Sequence, residues 1–229
     1  MKKKSQSDLF PTIPSSGIEK VNGIIRYITE NVRFSGINPI TLLHLGARTP
    51  IKIMRDRYAV AAFPCLDLAA VTAEMLIQNN IPSRIVVARR KSDTLEALHY
   101  TVELDIQGIT HHIDVKRNKL VLISGPAAQS KTVRIRRPDG TAEPASEKRE
   151  GTIPYTKSRA NDPVYRIAGF PSRRAMIHSM DWTVPGATKM AWRYGRSPYF
   201  GRILRRSTAG GKKPGFFNRF LRRNKNRRR

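Results

Sequence analysis

The sequence holds a single cysteine, Cys65. An internal disulfide is therefore impossible, which excludes the small secreted scaffolds stapled by several bridges. A structural zinc site built on several thiolates is excluded with them. No uninterrupted apolar run approaches the length needed to span a bilayer. The opening, MKKKSQSDLFPTIP, is basic but lacks the apolar stretch of a secretory signal. No internal repeat is present. Acidic residues are scarce: 17 Asp and Glu stand against 43 Lys and Arg, a formal net charge of +26. These absences leave the expectation of a cytoplasmic protein that meets polyanions.

The charge is uneven. Residues 1–114 carry 14 basic and 11 acidic side chains, the balance of an ordinary folded domain. Residues 115–229 carry 29 and 6. The last 34 residues, from Arg196, hold 13 basic side chains and no acid. Such asymmetry predicts a folded domain followed by a basic extension.

Residues 1–14 are polar, with Pro11 and Pro14, and read as a loose N-terminus. Ile18, Val21, Ile24, Ile25, Ile28 and Val32 recur at helical spacing, so 17–33 reads as an amphipathic helix, with Ser16 as its cap. A shorter helix is expected near Pro39–Leu45. The most apolar stretch is Ala59–Asn80. Pro64 suits a first helical turn there, and Asn79-Asn80-Ile81-Pro82 is a stop signal. Cys65 falls at the N-terminal end of that buried helix. Strands are expected at Arg84–Arg90, Leu98–Ile106, Ile109–Val115, Lys119–Ser124 and Thr132–Arg136. From Ala142 to Asp162 the chain is rich in Pro, Glu, Lys and Thr and reads as a loop.

A cysteine at a helix start has specific chemistry. First-turn N–H groups and the helix dipole favour the thiolate, which is the nucleophilic form. A nucleophilic thiolate needs an imidazole, and the imidazole needs a carboxylate or amide to orient it. The hairpin supplies that pair. With Gln107-Gly108 as a two-residue turn, Ile106 faces Ile109, Glu103 faces His112 and Thr101 faces Asp114. His99, Thr101, Glu103, His112 and Asp114 then share one face. Asp114 becomes the diagonal neighbour of His99, with Cα atoms about 7–8 Å apart. The histidines His111 and His112 point to opposite faces, so they read as ordinary strand residues and not as a metal site.

A helix-start cysteine, an Asn-Ile-Pro helix exit, a strand with His and a strand with Asp together resemble the transglutaminase-like core of the papain-like fold. The matching stretches are Cys65-Leu66-Asp67, Asn80-Ile81-Pro82-Ser83-Arg84-Ile85-Val86, His99-Tyr100-Thr101-Val102-Glu103 and His112-Ile113-Asp114. They span about residues 17–124. The resemblance implies a triad of Cys65 as nucleophile, His99 as base and acid, and Asp114 as orienter. It implies attack on an amide or ester carbonyl of a peptide or protein substrate, without a cofactor, through a thioacyl intermediate that passes to water in a peptidase or amidase and to an amine in an acyltransferase. Three positions depart from that family's common pattern: Phe63 stands where a small residue is frequent, Thr101 where an aromatic is, and Val115 where a proline is. The Cys65 N–H would be one oxyanion donor. Tyr58 is a candidate for the second, and His112 for an alternative orienter or a substrate contact. The implied fold is α+β, an antiparallel sheet of four or five strands packed on the Cys65 helix. The catalytic domain is expected over 15–137, and a basic extension over 138–229, disordered when free from 196 onward.

The extension interleaves Trp182, Trp192, Tyr194, Tyr199, Phe200, Phe216, Phe217 and Phe220 with Arg and Lys. Arginine to phosphate plus aromatic to base suits single-stranded or structured nucleic acid. Arg196, Arg202, Arg205, Arg206, Lys212, Lys213, Arg219, Arg222 and Arg223 are the candidate contacts. The partner expected of the second half is therefore a nucleic acid or a ribonucleoprotein. The last stretch, Phe216–Arg229, also suits an anionic membrane surface as a basic amphipathic helix. That reading ranks second, because the charge extends back to Lys116 without such a pattern. Two accounts of the whole chain follow: a cysteine hydrolase (a peptidase or amidase) tethered to a polyanion, or a non-catalytic nucleic-acid-binding protein on the same fold.

Overall fold

A computed structural model describes residues 5–35, 44–60, 64–92, 96–116, 119–128, 131–136 and 142–179. The anticipated helix near Pro39–Leu45 falls almost wholly outside these residues.

The N-terminus is not loose where it is described. Helix α1 (Gln6–Leu9) is closed by a reciprocal capping box between Ser5 and Asp8. Leu9 and Phe10 are buried. The Pro11 carbonyl accepts from Asn79 Nδ2 at 3.2 Å, and the Ile13 N–H donates to Asn79 Oδ1 at 2.7 Å. Burial and these two bonds outweigh the polar composition that suggested a free end. Helix α2 (Gly17–Asn31) buries Val21, Ile24 and Ile28 along one face, as the periodicity predicts. Ser16 holds the N-cap position, but its side chain makes no capping bond. Gly23 lets Ile13 approach this helix closely: a Cβ there would meet Ile13 Cγ2 at 2.8 Å, and Ile13 would have to shift.

Strand β1 (Arg33–Ser35) pairs in parallel with β2 (Tyr58–Val60). Between them lies α3 (Pro50–Asp56), capped by Thr49, whose side chain accepts from Lys52 N–H. The apolar stretch from Ala59 thus divides. Its first residues enter β2, and the helix α4 begins at Pro64 and runs to Gln78. Every residue of α4 from Cys65 to Leu76 is buried. Asn80 takes a left-handed conformation (φ 60°), and the Ile81 N–H reaches back to the Leu76 carbonyl at 2.9 Å, which ends the helix.

Six antiparallel strands follow: β3 (Ser83–Lys91), β4 (Glu96–Ile106), β5 (Ile109–Lys116), β6 (Lys119–Ser124), β7 (Lys131–Arg136) and β8 (Ala142–Pro154). Their order in the sheet is β6-β5-β4-β3-β8-β7. The fold is α+β, with α4 packed against the sheet through β3, β4 and β5. Two expectations are corrected here. The sheet has six strands, not four or five. The segment from Ala142, anticipated as a loop, is its longest strand, so the folded unit runs well past residue 137. Strand β8 lies against the inner strand β3, pairing Arg84 with Pro154 through Lys91 with Ser146. Beyond it, α5 (Val164–Ile167) and α6 (Arg173–Ser179) bury Val164, Ile167, Met176 and Ile177. Among the described residues no helix is long and apolar enough to cross a membrane.

Candidate active site

The β4–β5 hairpin carries the first part of the site. Gln107 and Gly108 both have positive φ (51° and 79°), as a tight two-residue hairpin turn requires. The register is the one the sequence predicts: Ile106 pairs with Ile109, Glu103 with His112, and Val102 with Ile113. There the β4–β5 ladder stops, so the expected Thr101–Asp114 pair is not formed. Asp114 instead pairs with Val121 of β6. Its carboxylate Oδ1 meets His99 Nε2 at 2.6 Å and accepts the Val115 N–H at 2.6 Å. Both side chains are buried.

Cys65 lies in the first turn of α4 and is buried. The Cys65 sulfur lies close enough to the His99 ring to raise it. Because Nε2 faces Asp114, Nδ1 is the ring nitrogen left for the sulfur. Burial alone would disfavour a charged His99. The bond to Asp114, then the bond to Cys65 and its charge, reverse this and lift His99 to about 9. Burial pushes the Asp114 carboxyl up. The hydrogen bond and charge of His99, the charge of Arg90 and the Val115 N–H more than offset it, leaving Asp114 below the usual carboxylate range. The structure joins His99 and Asp114 by a hydrogen bond, with Cys65 close enough to act on His99. A family model described as a transglutaminase-like domain matches residues 9–124, just over half of the chain.

The chain belongs to the transglutaminase-like domain family. No curated protein and no solved structure matches it. The departures anticipated from the common pattern of that family have local consequences. Val115 supplies the N–H that Asp114 accepts, a donor that a proline lacks. Thr101, two residues after His99, is buried, and its hydroxyl has no partner among the described residues. Phe63 lies outside them.

The auxiliary candidates have other partners. Tyr58 hydrogen-bonds through its hydroxyl to His44 Nδ1, and the Arg48 guanidinium sits 4.2 Å from its ring centroid. Burial raises Tyr58 to about 12, so the phenol keeps its proton. Burial, then the charge of Arg48, lowers His44 to about 4, so its ring is neutral. Tyr58 is thus engaged with His44, away from the His99–Asp114 pair's own hydrogen bonds. His112 is buried and its Nδ1 meets the Gly125 carbonyl at 2.8 Å, away from the His99–Asp114 bond. His111 bonds to the Ile109 carbonyl instead. Among the described residues no group of His, Cys, Asp and Glu is placed to hold a metal ion.

Sequence reading missed two features. Asp67, in the first turn of the Cys65 helix, is buried. It accepts from Arg48 Nη2 at 2.7 Å and from the Val60 N–H at 3.0 Å. One carboxylate therefore joins the strand before Cys65 to the first helical turn after it. Burial raises the Asp67 carboxyl, and Arg48 opposes the rise. The second is Glu103, also buried. It holds Arg84 and Arg149 and accepts the Ala127 N–H at 2.8 Å. That bond draws Ala127 and Ala128 onto Val86 and Ala88. A buried acid two residues from a lone cysteine was the only sequence signal for the first. The candidate nucleic-acid contacts Arg196, Arg202, Arg205, Arg206, Lys212, Lys213, Arg219, Arg222 and Arg223 lie outside the described residues.

Proposed function

We propose that this transglutaminase-like protein is a cysteine-dependent hydrolase, a peptidase or amidase, working through Cys65, His99 and Asp114. The observation that carries the reading is the 2.6 Å His99–Asp114 bond beside the Cys65 thiol. Asp114 fixes the ring and favours its charged form, and the charged ring favours the thiolate. The thiolate attacks the substrate carbonyl carbon, and the carbonyl π pair moves to oxygen. The Cys65 N–H, at the head of a helix of 15 residues, is aimed at that oxyanion. Collapse breaks the bond to the leaving amine, which takes a proton from His99. The product is a thioester on Cys65. Neutral His99 then accepts a proton from water as water attacks the thioester carbonyl, and the acid and the thiolate are released.

Mass spectrometry of the intact protein tests this. With a panel of peptide esters and amides, the wild type should gain one acyl mass, mapped to Cys65. Cys65→Ala should gain none while keeping its circular dichroism. Adducts of equal yield on both proteins would contradict the reading.

The second half, with 29 basic side chains against 6 acidic, supports a tether to nucleic acid through the arginines and lysines from Arg196 onward. Binding of single-stranded RNA by the full chain should weaken steeply between 50 and 200 mM salt, by 10³-fold or more if about six or more phosphates are contacted. Binding to anionic vesicles in preference to RNA would reverse this assignment.

A further inference from the structure

Arg90 lies on the same face of the sheet as His99. In the β3–β4 register Ala88 faces His99 and Arg90 faces Ala97, with no shift between them. Arg90 is therefore the diagonal neighbour of His99 across the strand pair, close enough for a long side chain to reach it. Its charge acts on both His99 and Asp114. On its other side Arg90 faces Glu147 of β8. Glu147 is buried and holds Arg90 through Nε. Neither Nη group of Arg90 has a hydrogen bond among the described residues, and neither is among the buried unpartnered atoms. The guanidinium is thus gripped at its base while its two terminal nitrogens stay open beside the Cys65–His99–Asp114 group.

We propose that Arg90 is a specificity residue of this site, and that it reads a carboxylate carried by the substrate next to the carbonyl under attack. The inference rests on the hydrolase reading above. A guanidinium offers two parallel N–H donors that match a carboxylate. Glu147 fixes the fork in one direction, so little side-chain entropy is lost when an anion docks. The favoured substrates are then amides or esters flanked either by an acidic side chain or by a free chain terminus. The residue that holds Arg90 lies on β8, beyond the segment matched by the family model.

The single thiol allows a test that needs no known substrate. Alkylation of Cys65 in the full chain is followed with iodoacetate, which is anionic, and with iodoacetamide, which is neutral. The measured quantity is the ratio of their rate constants, with iodoacetamide reporting the state of the thiol in each variant. At pH 7, His99 is charged with or without Arg90, so its contribution to the ratio cancels. The ratio should fall about threefold or more in Arg90→Gln, the size expected of one nearby charge, and recover in Arg90→Lys. Because Arg90→Gln also breaks the ion pair with Glu147, Arg90→Gln/Glu147→Gln is measured as well and should show a fall in the same direction, smaller because both charges are gone. An unchanged ratio in the folded double variant overturns the proposal. If His99→Ala leaves the iodoacetamide rate unchanged, the hydrolase reading fails, whatever the ratio does.

Protection against iodoacetamide separates the two sources of carboxylate. N-acetyl-aspartyl amide carries it on a side chain, N-acetyl-glycyl-glycine at the terminus, and N-acetyl-glycinamide not at all. One of the charged probes should protect the wild type more than the neutral one, and lose that advantage in Arg90→Gln. An advantage that persists in Arg90→Gln counts against Arg90.

Discussion

Asp114 Oδ1 lies 2.6 Å from His99 Nε2, and the same oxygen accepts the Val115 N–H. This pair sets the protonation of the site. His99 is raised to about 9, above its ordinary 6.5, so the folded state binds that proton more tightly than the unfolded chain. The stabilisation is present in full below pH 6.5 and is lost as the pH rises toward 9. Urea unfolding of the wild type should show stability falling across that window. Asp114→Asn removes the largest contribution that raises His99, so its curve should fall less. Parallel curves for the two proteins would contradict the assignment.

The Cys65 thiol also raises His99, by its hydrogen bond and its charge. In Cys65→Ala the His99 titration, read by NMR of the imidazole C–H, should move down from its wild-type position while staying linked to Asp114. A titration that does not move would mean that the sulfur is not bonded to the ring.

Arg48 and Asp67 form a buried ion pair across the entry to the Cys65 helix. Removing Asp67 leaves the buried Arg48 with the longer contact to Asp56 at 3.5 Å, a loss of up to about 3–5 kcal/mol. Asp67→Ala should therefore lower the urea midpoint strongly. Asp67→Asn, which can still accept from the Val60 N–H, should cost less. Equal midpoints for Asp67→Ala and the wild type would show that the pair does not hold this segment.

Tyr155, just past β8, donates its hydroxyl to Glu74 of α4 at 2.8 Å, and both are buried. Tyr155→Phe deprives a buried carboxylate of a partner and should cost about 1–3 kcal/mol. A chain ending at residue 137 loses this bond and bares the edge of β3. It should show no cooperative thermal transition. A cooperative melt matching the full chain would restore the shorter domain expected from the sequence.

The elements that could be read from the sequence were those whose burial follows a period. Val21, Ile24 and Ile28 mark one helix face, and the turn at Gln107-Gly108 fixes the β4–β5 register and so the approach of His99 to Asp114. Strand β8 was hidden because it is held by charge and not by an apolar alternation. Glu147 pairs with Arg90, Glu150 with Arg89, and Glu143 with Ser92, while Pro144 and Gly151 look like loop residues. Those partners are about 50–60 residues away in sequence, where no local pattern reaches. The Asp67–Arg48 pair was hidden for the same reason: Arg48 lies 19 residues upstream. The Tyr58 hydroxyl, available on paper, is turned to His44 by a contact of tertiary origin.

The most direct measurement of the central claim is the rate of iodoacetamide alkylation of Cys65 against pH, in the wild type and in His99→Ala. An isolated thiol gains reactivity only as the pH nears about 8.5. The account predicts fast alkylation of the wild type well below pH 8, and a marked slowing in His99→Ala over the same range. Identical curves of the isolated-thiol form in both proteins would contradict a thiolate held by His99.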